Sequence, residues 1–253
     1  MPRPVDPEPE PEPELKPEPE PEPRPSAGGR WADRAARAMR SRRATMVQEP
    51  PICRRIFLMR HGHYERTGDL GDTVWGLSPL GRRQAVKVGR RLSRIVDSAS
   101  GRFEGVYASP WPRATQSAEI AGREMDLENI RIKRYLHEMV PLVDPTRPEF
   151  QAFPLGLEAT PSEGRALVDQ QIGKIRGRFF KTPTRRSFVL IFAHGNLIRY
   201  LVAHTLQLPY EAWAMMDIAH ASITELRVYA SGFEALISFN ETGHLPPSMV
   251  TTS

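Results

Sequence analysis

Two apolar runs in this chain end in a histidine followed by a glycine, Leu58-Met59-Arg60-His61-Gly62 and Ile191-Phe192-Ala193-His194-Gly195-Asn196. An imidazole titrates near neutral pH, and its uncharged form is a nucleophile or a base. Arg60 adjoins the first histidine, Arg113 stands just inside a helix-like stretch after the strand-like run ending at Ala108, and Glu138 follows a strand-like stretch ending near Leu136. Guanidinium groups present a fixed fork of donors that fits phosphate oxygens, where an ammonium acts as a point charge. Together these residue types suit phosphoryl transfer. A neutral imidazole attacks phosphorus and divides the transfer into two steps, and arginine and histidine stabilise the three equatorial oxygens where other enzymes use a metal. A carboxylic acid then protonates the leaving oxygen and afterwards deprotonates water, and Glu138 is the candidate. Singly, each histidine reads equally well as a capping or core residue; it is the concurrence with two arginines that marks a site.

Other chemistries fit less well. His61 and His63 have no third ligand at recognisable spacing, so no metal is expected. Six residues lie between Cys53 and Arg60, but they read as a strand and not as a five-residue phosphate loop, so the thiol is expected to pack. His63 and Tyr64 either line a pocket mouth or sit in a solvated loop. For His220 a structural hydrogen bond is the stronger expectation than a substrate contact.

The elements that must position these residues alternate between buried strands and amphipathic helices. Strands are expected at Ile56-Met59, Gly105-Ala108, Ile130-Leu136 and Phe188-Phe192, with antiparallel strands near Ile223-Tyr229 and Phe233-Phe239 joined through Ser231-Gly232. Helices are expected from Ser78-Pro79 to about Asp97, Pro112 to about Met125, Ser162 to about Phe180 and Asn196 to Leu206. The pattern predicts an α/β fold of three layers, a mostly parallel sheet with helices on both faces. In such sheets ligands bind outside the carboxyl ends of the strands, which would bring both histidines to one edge. Residues 139–161 carry five prolines and read as a long irregular excursion, of the kind that often covers a site.

Composition divides the chain into a Pro/Glu-rich tail (residues 1–28), a basic helix or linker (29–51) and the α/β domain that carries the candidate site (52–253). Met1 to Ser26 holds eight acidic and three basic residues, which leaves +10 on the rest of a chain whose total is +5. A basic domain favours anionic partners. The single cysteine excludes an internal disulfide, and neither a secretory signal nor an apolar run of membrane-spanning length is present, so a soluble protein is expected. Membrane contact is open only to the basic segment 30–43; nucleic-acid binding there is set aside because stacking aromatics are scarce.

Four ordered motifs, Arg60-His61-Gly62, Leu77-Ser78-Pro79-Leu80-Gly81, Ser109 through Arg113-Ala114, and His194-Gly195, resemble the histidine phosphatase superfamily, also called phosphoglycerate mutase-like. The resemblance implies that His61 is the phosphorylated nucleophile, that Arg60, Arg113 and His194 bind the phosphoryl group, that Glu138 is the proton donor, and that no cofactor or metal is needed. The segments Ala193-Tyr200, Leu208-Trp213, His220-Thr224 and Gly243-Pro247 are similar to the mitochondrial protein-serine/threonine phosphatases within that superfamily. This implies a phosphoserine/phosphothreonine protein phosphatase, with a homo-oligomer open. A small-molecule (sugar or glycerate) phosphatase and a catalytically weak scaffold for phosphoproteins are the alternatives. Mutase activity is disfavoured, since Glu138 is followed by Met139-Val140-Pro141 and only 55 residues separate it from His194. The membrane helix of those phosphatases has no counterpart here, and of their Trp-Asp motif only Trp31-Ala32-Asp33 remains. A cytoplasmic location is therefore expected, with the mitochondrial outer membrane as the alternative that the resemblance implies.

Overall fold

The structure is a computed structural model that describes residues 51–65, 73–99, 101–142 and 161–252. Pro50–Ser253 forms one compact unit. The Pro/Glu tail, nearly all of the expected basic linker, and most of the proline-rich excursion lie outside the described residues.

Among the described residues six strands and four α-helices build three layers. In chain order they are β1 (Cys53–Arg60), α1 (Pro79–Ser98), β2 (Arg102–Ala108), α2 (Pro112–Arg123), β3 (Ile130–Ile132), α3 (Pro161–Phe179), β4 (Ser187–Ala193), α4 (Gly195–Leu206), β5 (Ile223–Tyr229) and β6 (Glu234–Glu241). The sheet order is β3-β2-β4-β1-β5-β6, parallel through β1 and antiparallel from β1 to β5 and β6. Every residue of β4 is buried, as expected of a continuous apolar run that faces helices on both sides. One face carries Phe57, Met59, Leu190 and Phe192 against Val88 and Leu92 of α1 and Ala118 and Ala121 of α2. The other carries Ile56, Leu58, Val189 and Ile191 against Ile172 of α3 and Leu197 and Leu201 of α4. Each large side chain so buried contributes about 1.5–3 kcal/mol of transfer free energy.

Local chemistry sets the helix starts. The Ser78 hydroxyl accepts from the Gly81 N–H at 3.1 Å, and Pro79 occupies the first turn, where its missing N–H costs nothing. Pro112 opens α2 in the same way. The antiparallel pair turns at Ser231-Gly232, where Gly232 adopts φ 78°.

One expectation needs correction. The third strand ends at Ile132, not near Leu136, and a 3-10 turn at Arg134–Leu136 follows. The Lys133 N–H donates to the carbonyl of Ala108, the last residue of β2, at 2.9 Å, so the strand has no partner beyond that point. The turn then drops Leu136 into the core, where it is fully buried. Glu138 accordingly projects from a loop and not directly from a strand end.

Candidate active site

The three central parallel strands stop in register. Arg60 pairs with Ala193, and Ala108 pairs with Phe192. His61, Ser109 and His194 are thus the first residues past three neighbouring strands, and the sheet pattern continues one step into them. The His61 N–H donates to the Ala193 carbonyl and the Ser109 N–H to the Phe192 carbonyl, both at 3.0 Å.

The loop after His61 is held by close backbone approach. A Cβ on Gly62 would lie 2.6 Å from the Gly81 carbonyl oxygen, and one on Gly81 would collide with the His63 carbonyl. The start of α1 therefore seats directly on the His61-Gly62-His63 backbone. The Gly62 N–H donates to Ser117 Oγ at 3.0 Å, the His63 N–H to Gln84 Oε1 at 2.7 Å, and the Ser78 N–H to the His63 carbonyl at 3.0 Å.

His61 is 2 % exposed, and both of its ring nitrogens are engaged. Nδ1 lies 2.8 Å from the Gly62 carbonyl, which can only accept, so Nδ1 carries the hydrogen. Nε2 accepts from Arg113 Nε at 3.1 Å and so holds the lone pair. Burial first, then His194, Arg60 and Arg113, keep the His61 pKa well below the ordinary histidine value. The ring is neutral at physiological pH, with Nε2 unprotonated.

Arg113 is 1 % exposed and lies between two aromatic rings, with its guanidinium carbon 4.6 Å from the centroids of both Tyr64 and Trp111. Trp111 occupies the N-cap position of α2 without making a side-chain cap. Arg60 donates to the Ile218 carbonyl at 2.5 Å; burial lowers its pKa to about 10, which leaves it charged. His194 is fully buried, its ring centroid 5.1 Å from that of His61, and its Nε2 lies 2.7 Å from Ser109 Oγ. Its Nδ1 is buried with no hydrogen-bond partner among the described residues. Burial, Arg113 and Arg60 hold this histidine neutral as well.

Glu138 reaches the same edge from its loop. Its Oε1 accepts from the Met139 N–H at 3.0 Å and from the Leu197 N–H, in the first turn of α4, at 3.2 Å. Burial raises its pKa above the usual carboxylate value, against the pull of those donors and of Arg60. All five residues singled out in the sequence are therefore brought to one end of the sheet. Among the described residues no three His, Cys, Asp or Glu side chains group as metal ligands would.

The structure adds partners that residue types alone did not mark. Ser109 fixes His194, and Ser117 ties down Gly62. The Tyr64 ring lies 5.3 Å from that of His61 and is stacked on Trp75. His63 bonds Ser78 Oγ at 2.8 Å. His220 makes a structural hydrogen bond from Nδ1 to Thr251 Oγ1 at 3.1 Å and also borders the site, its ring 5.6 Å from His61. The available signal for Trp111 was its place: a residue at a helix N-cap that cannot cap has another task. Cys53 is buried, with its thiol pKa raised by desolvation, as a packing residue should be.

Comparison with known proteins bears on the family and the fold. The profile of the histidine phosphatase superfamily (branch 1) matches residues 56–141 and 146–241. The mitochondrial serine/threonine-protein phosphatase Pgam5 of Drosophila persimilis is 33% identical over 209 residues, covering 80% of this chain and 68% of that protein. The same-named protein of Drosophila grimshawi is 33% identical over 204 residues, with the same coverage of both chains. Among solved structures, phosphoglycerate mutase from Plasmodium falciparum superposes with a TM-score of 0.52 at 22% identity, over 78% of this chain and 96% of that one. Phosphoserine phosphatase from Entamoeba histolytica superposes with a TM-score of 0.56 at 20% identity, over 76% of this chain and the whole of that one. At those identities the two structures speak for the fold alone.

Proposed function

The chain belongs to the histidine phosphatase superfamily, and from that premise we propose that this phosphatase hydrolyses phosphoserine and phosphothreonine in proteins through a phosphohistidine on His61. The observation that carries the mechanism is the hydrogen-bonding of His61: Nδ1 donates to Gly62, and Nε2 keeps its lone pair toward Arg113.

In the first step the phosphoryl group takes the Arg113 Nε–H hydrogen bond away from His61 Nε2 onto one of its own oxygens, and the freed Nε2 lone pair forms the N–P bond while the P–O bond to the serine or threonine oxygen breaks. Glu138, whose pKa burial raises toward the protonated form, gives its proton to that oxygen. The charge that develops on the imidazole is met by the Gly62 carbonyl at Nδ1–H. Charge on the transferring group is met by Arg60, Arg113 and His194. Ser109 Oγ already accepts from the Trp111 N–H at 3.3 Å, and by donating its own hydrogen to His194 Nε2 it leaves Nδ1–H to bind a phosphoryl oxygen. In the second step Glu138 takes a proton from water, the hydroxide attacks phosphorus, the N–P bond breaks, and both His61 and Glu138 return to their starting states.

Protein substrates are supported by the names of the relatives, which are serine/threonine-protein phosphatases, and by the net positive charge outside the tail. Those names also favour mitochondria over the cytoplasm as the place of action, although no described helix is long and apolar enough to cross a membrane. The test is mass spectrometry of protein quenched in base after brief exposure to a phosphopeptide, beside His61→Ala and beside 3-phosphoglycerate as substrate. The expected result is a phosphoryl adduct on His61, loss of both adduct and turnover in the variant (about 10^4-fold or more), and faster turnover of the peptide. A folded wild type with neither adduct nor turnover would overturn the mechanism, and preference for 3-phosphoglycerate would overturn the substrate class.

A further inference from the structure

At the opposite end of the sheet, where the strands begin, lies a cavity of about 480 Å³. Arg54 of β1 and Arg102 of β2 both align with Ser187, the first residue of β4, and all three line it. By strand length this pole is roughly 20 Å from the catalytic end. Six cationic side chains line the cavity, Arg54, Arg102, Arg131, Arg178, Lys181 and Arg185, against one carboxylate, Glu104.

That carboxylate is already taken. Arg54 contacts Glu104 Oε1 through Nε at 3.2 Å and Nη2 at 2.9 Å. Arg131 and Arg178 instead converge on a neutral atom, the Tyr107 hydroxyl, at 2.9 and 2.8 Å. Two accepted bonds saturate the two lone pairs of that oxygen, and neither guanidinium has a carboxylate partner among the described residues. Tyr107 itself is 1 % exposed and is held by Phe179 at 4.9 Å between centroids, so the acceptor that gathers them is rigid. Like charges pinned side by side in a concave site raise the local positive potential and favour an anion. Paired guanidinium forks suit phosphate oxygens in particular, and the volume exceeds what one phosphate needs.

We propose that this cavity is a second anion site, distinct from the catalytic pocket, that binds a short chain of linked phosphates, either free or carried by a nucleoside. Phe103 on its wall offers an apolar surface for a base. Occupancy neutralises the facing guanidinium groups where β1, β2 and β4 begin and so stabilises the fold.

The experiment uses the full chain carrying His61→Ala, so that no ligand is turned over, with phosphoserine at saturating concentration in the catalytic pocket. Tripolyphosphate and ATP are titrated calorimetrically. Both are expected to bind, and at least tenfold weaker binding is expected on adding Arg131→Gln with Arg178→Gln. With His61 intact, that pair of substitutions is expected to leave phosphopeptide turnover unchanged. Equal affinity for the two ligands assigns recognition to the phosphates alone, whereas tighter ATP binding assigns a share to the nucleoside. If the pair fails to fold, Arg102→Gln with Arg185→Gln makes the same test. Absence of binding, loss of binding to phosphoserine competition, or affinity untouched by the substitutions would overturn the proposal.

Discussion

Glu138 and His61 are pushed in opposite directions by the same cause. Desolvation disfavours whichever form is charged, so it raises the carboxyl and lowers the imidazole, moving each toward the uncharged form that an acid and a nucleophile need. On the acid side, kcat per folded molecule should hold below about pH 6.5, where an ordinary histidine would already be protonated, until acid unfolding removes the native state. On the alkaline side, kcat should decline as Glu138 loses its proton. Glu138→Gln should lower kcat by about 10^2–10^4-fold and remove that alkaline limb; a pH–rate profile checks it, and an unchanged limb would assign the titration to another group. Stability moves the other way. A carboxyl whose folded pKa is raised supports the fold below the usual carboxylate range and loses that support as pH rises through its folded value. Glu138→Gln should therefore melt higher than wild type at neutral pH and gain nothing at pH 4. His61 and His194 were legible in the sequence because each follows directly from an apolar strand, and Arg60 because it closes the first of them. The Ser109–His194 bond and the contact of Tyr64 with Arg113 were not, because they join residues far apart in the chain through contacts that leave no local pattern.

At the scale of elements, the strands and helices were legible wherever periodicity, a capping serine and a first-turn proline agreed. The exception, the end of β3, shows what such reasoning lacks. Ile130 through Leu136 is apolar enough for a strand, but a strand ends where its neighbour ends, and β2 stops at Ala108. Gly62 and Gly81 carry a related lesson. Each looks like a loop or helix-start glycine in sequence, and only the fold shows them pressed back to back, with α1 seated on the nucleophile's backbone. Gly81→Ala should force the helix start away from the His63 carbonyl. We expect a loss of about 1–3 kcal/mol in stability and, because His61 shifts with its backbone, a fall of about 10^2-fold in kcat. Ala85→Gly, one turn later in α1, is the control: it should cost about 1 kcal/mol with kcat nearly unchanged. Thermal melts with steady-state kinetics on both variants decide it, and equal kcat in the two would mean that α1 does not position His61.

For the whole molecule, the catalytic edge gathers buried histidines that the fold needs uncharged. His61 and His194 are held well below their ordinary pKa, and His220 is lowered to about 3 by burial, Arg60 and His63. In the unfolded chain each would titrate near 6.5. Below that value the unfolded state binds protons that the native state refuses, so stability is fully present above about pH 6.5 and is lost as pH falls toward the native pKa values. Each such histidine removes about 1.4 kcal/mol per pH unit within the window, and three remove about 4 kcal/mol per unit. Against a total stability on the order of 5–15 kcal/mol, the protein should unfold on mild acidification, well before most carboxylates are protonated. His220→Gln can keep the hydrogen bond to Thr251 without a titrating ring. Its melting temperature should fall with acidification by about a third less than that of wild type between pH 6.5 and 5. Parallel curves for the two proteins would mean that His220 is protonated in the native state, and the histidine edge would then not be the source of acid sensitivity.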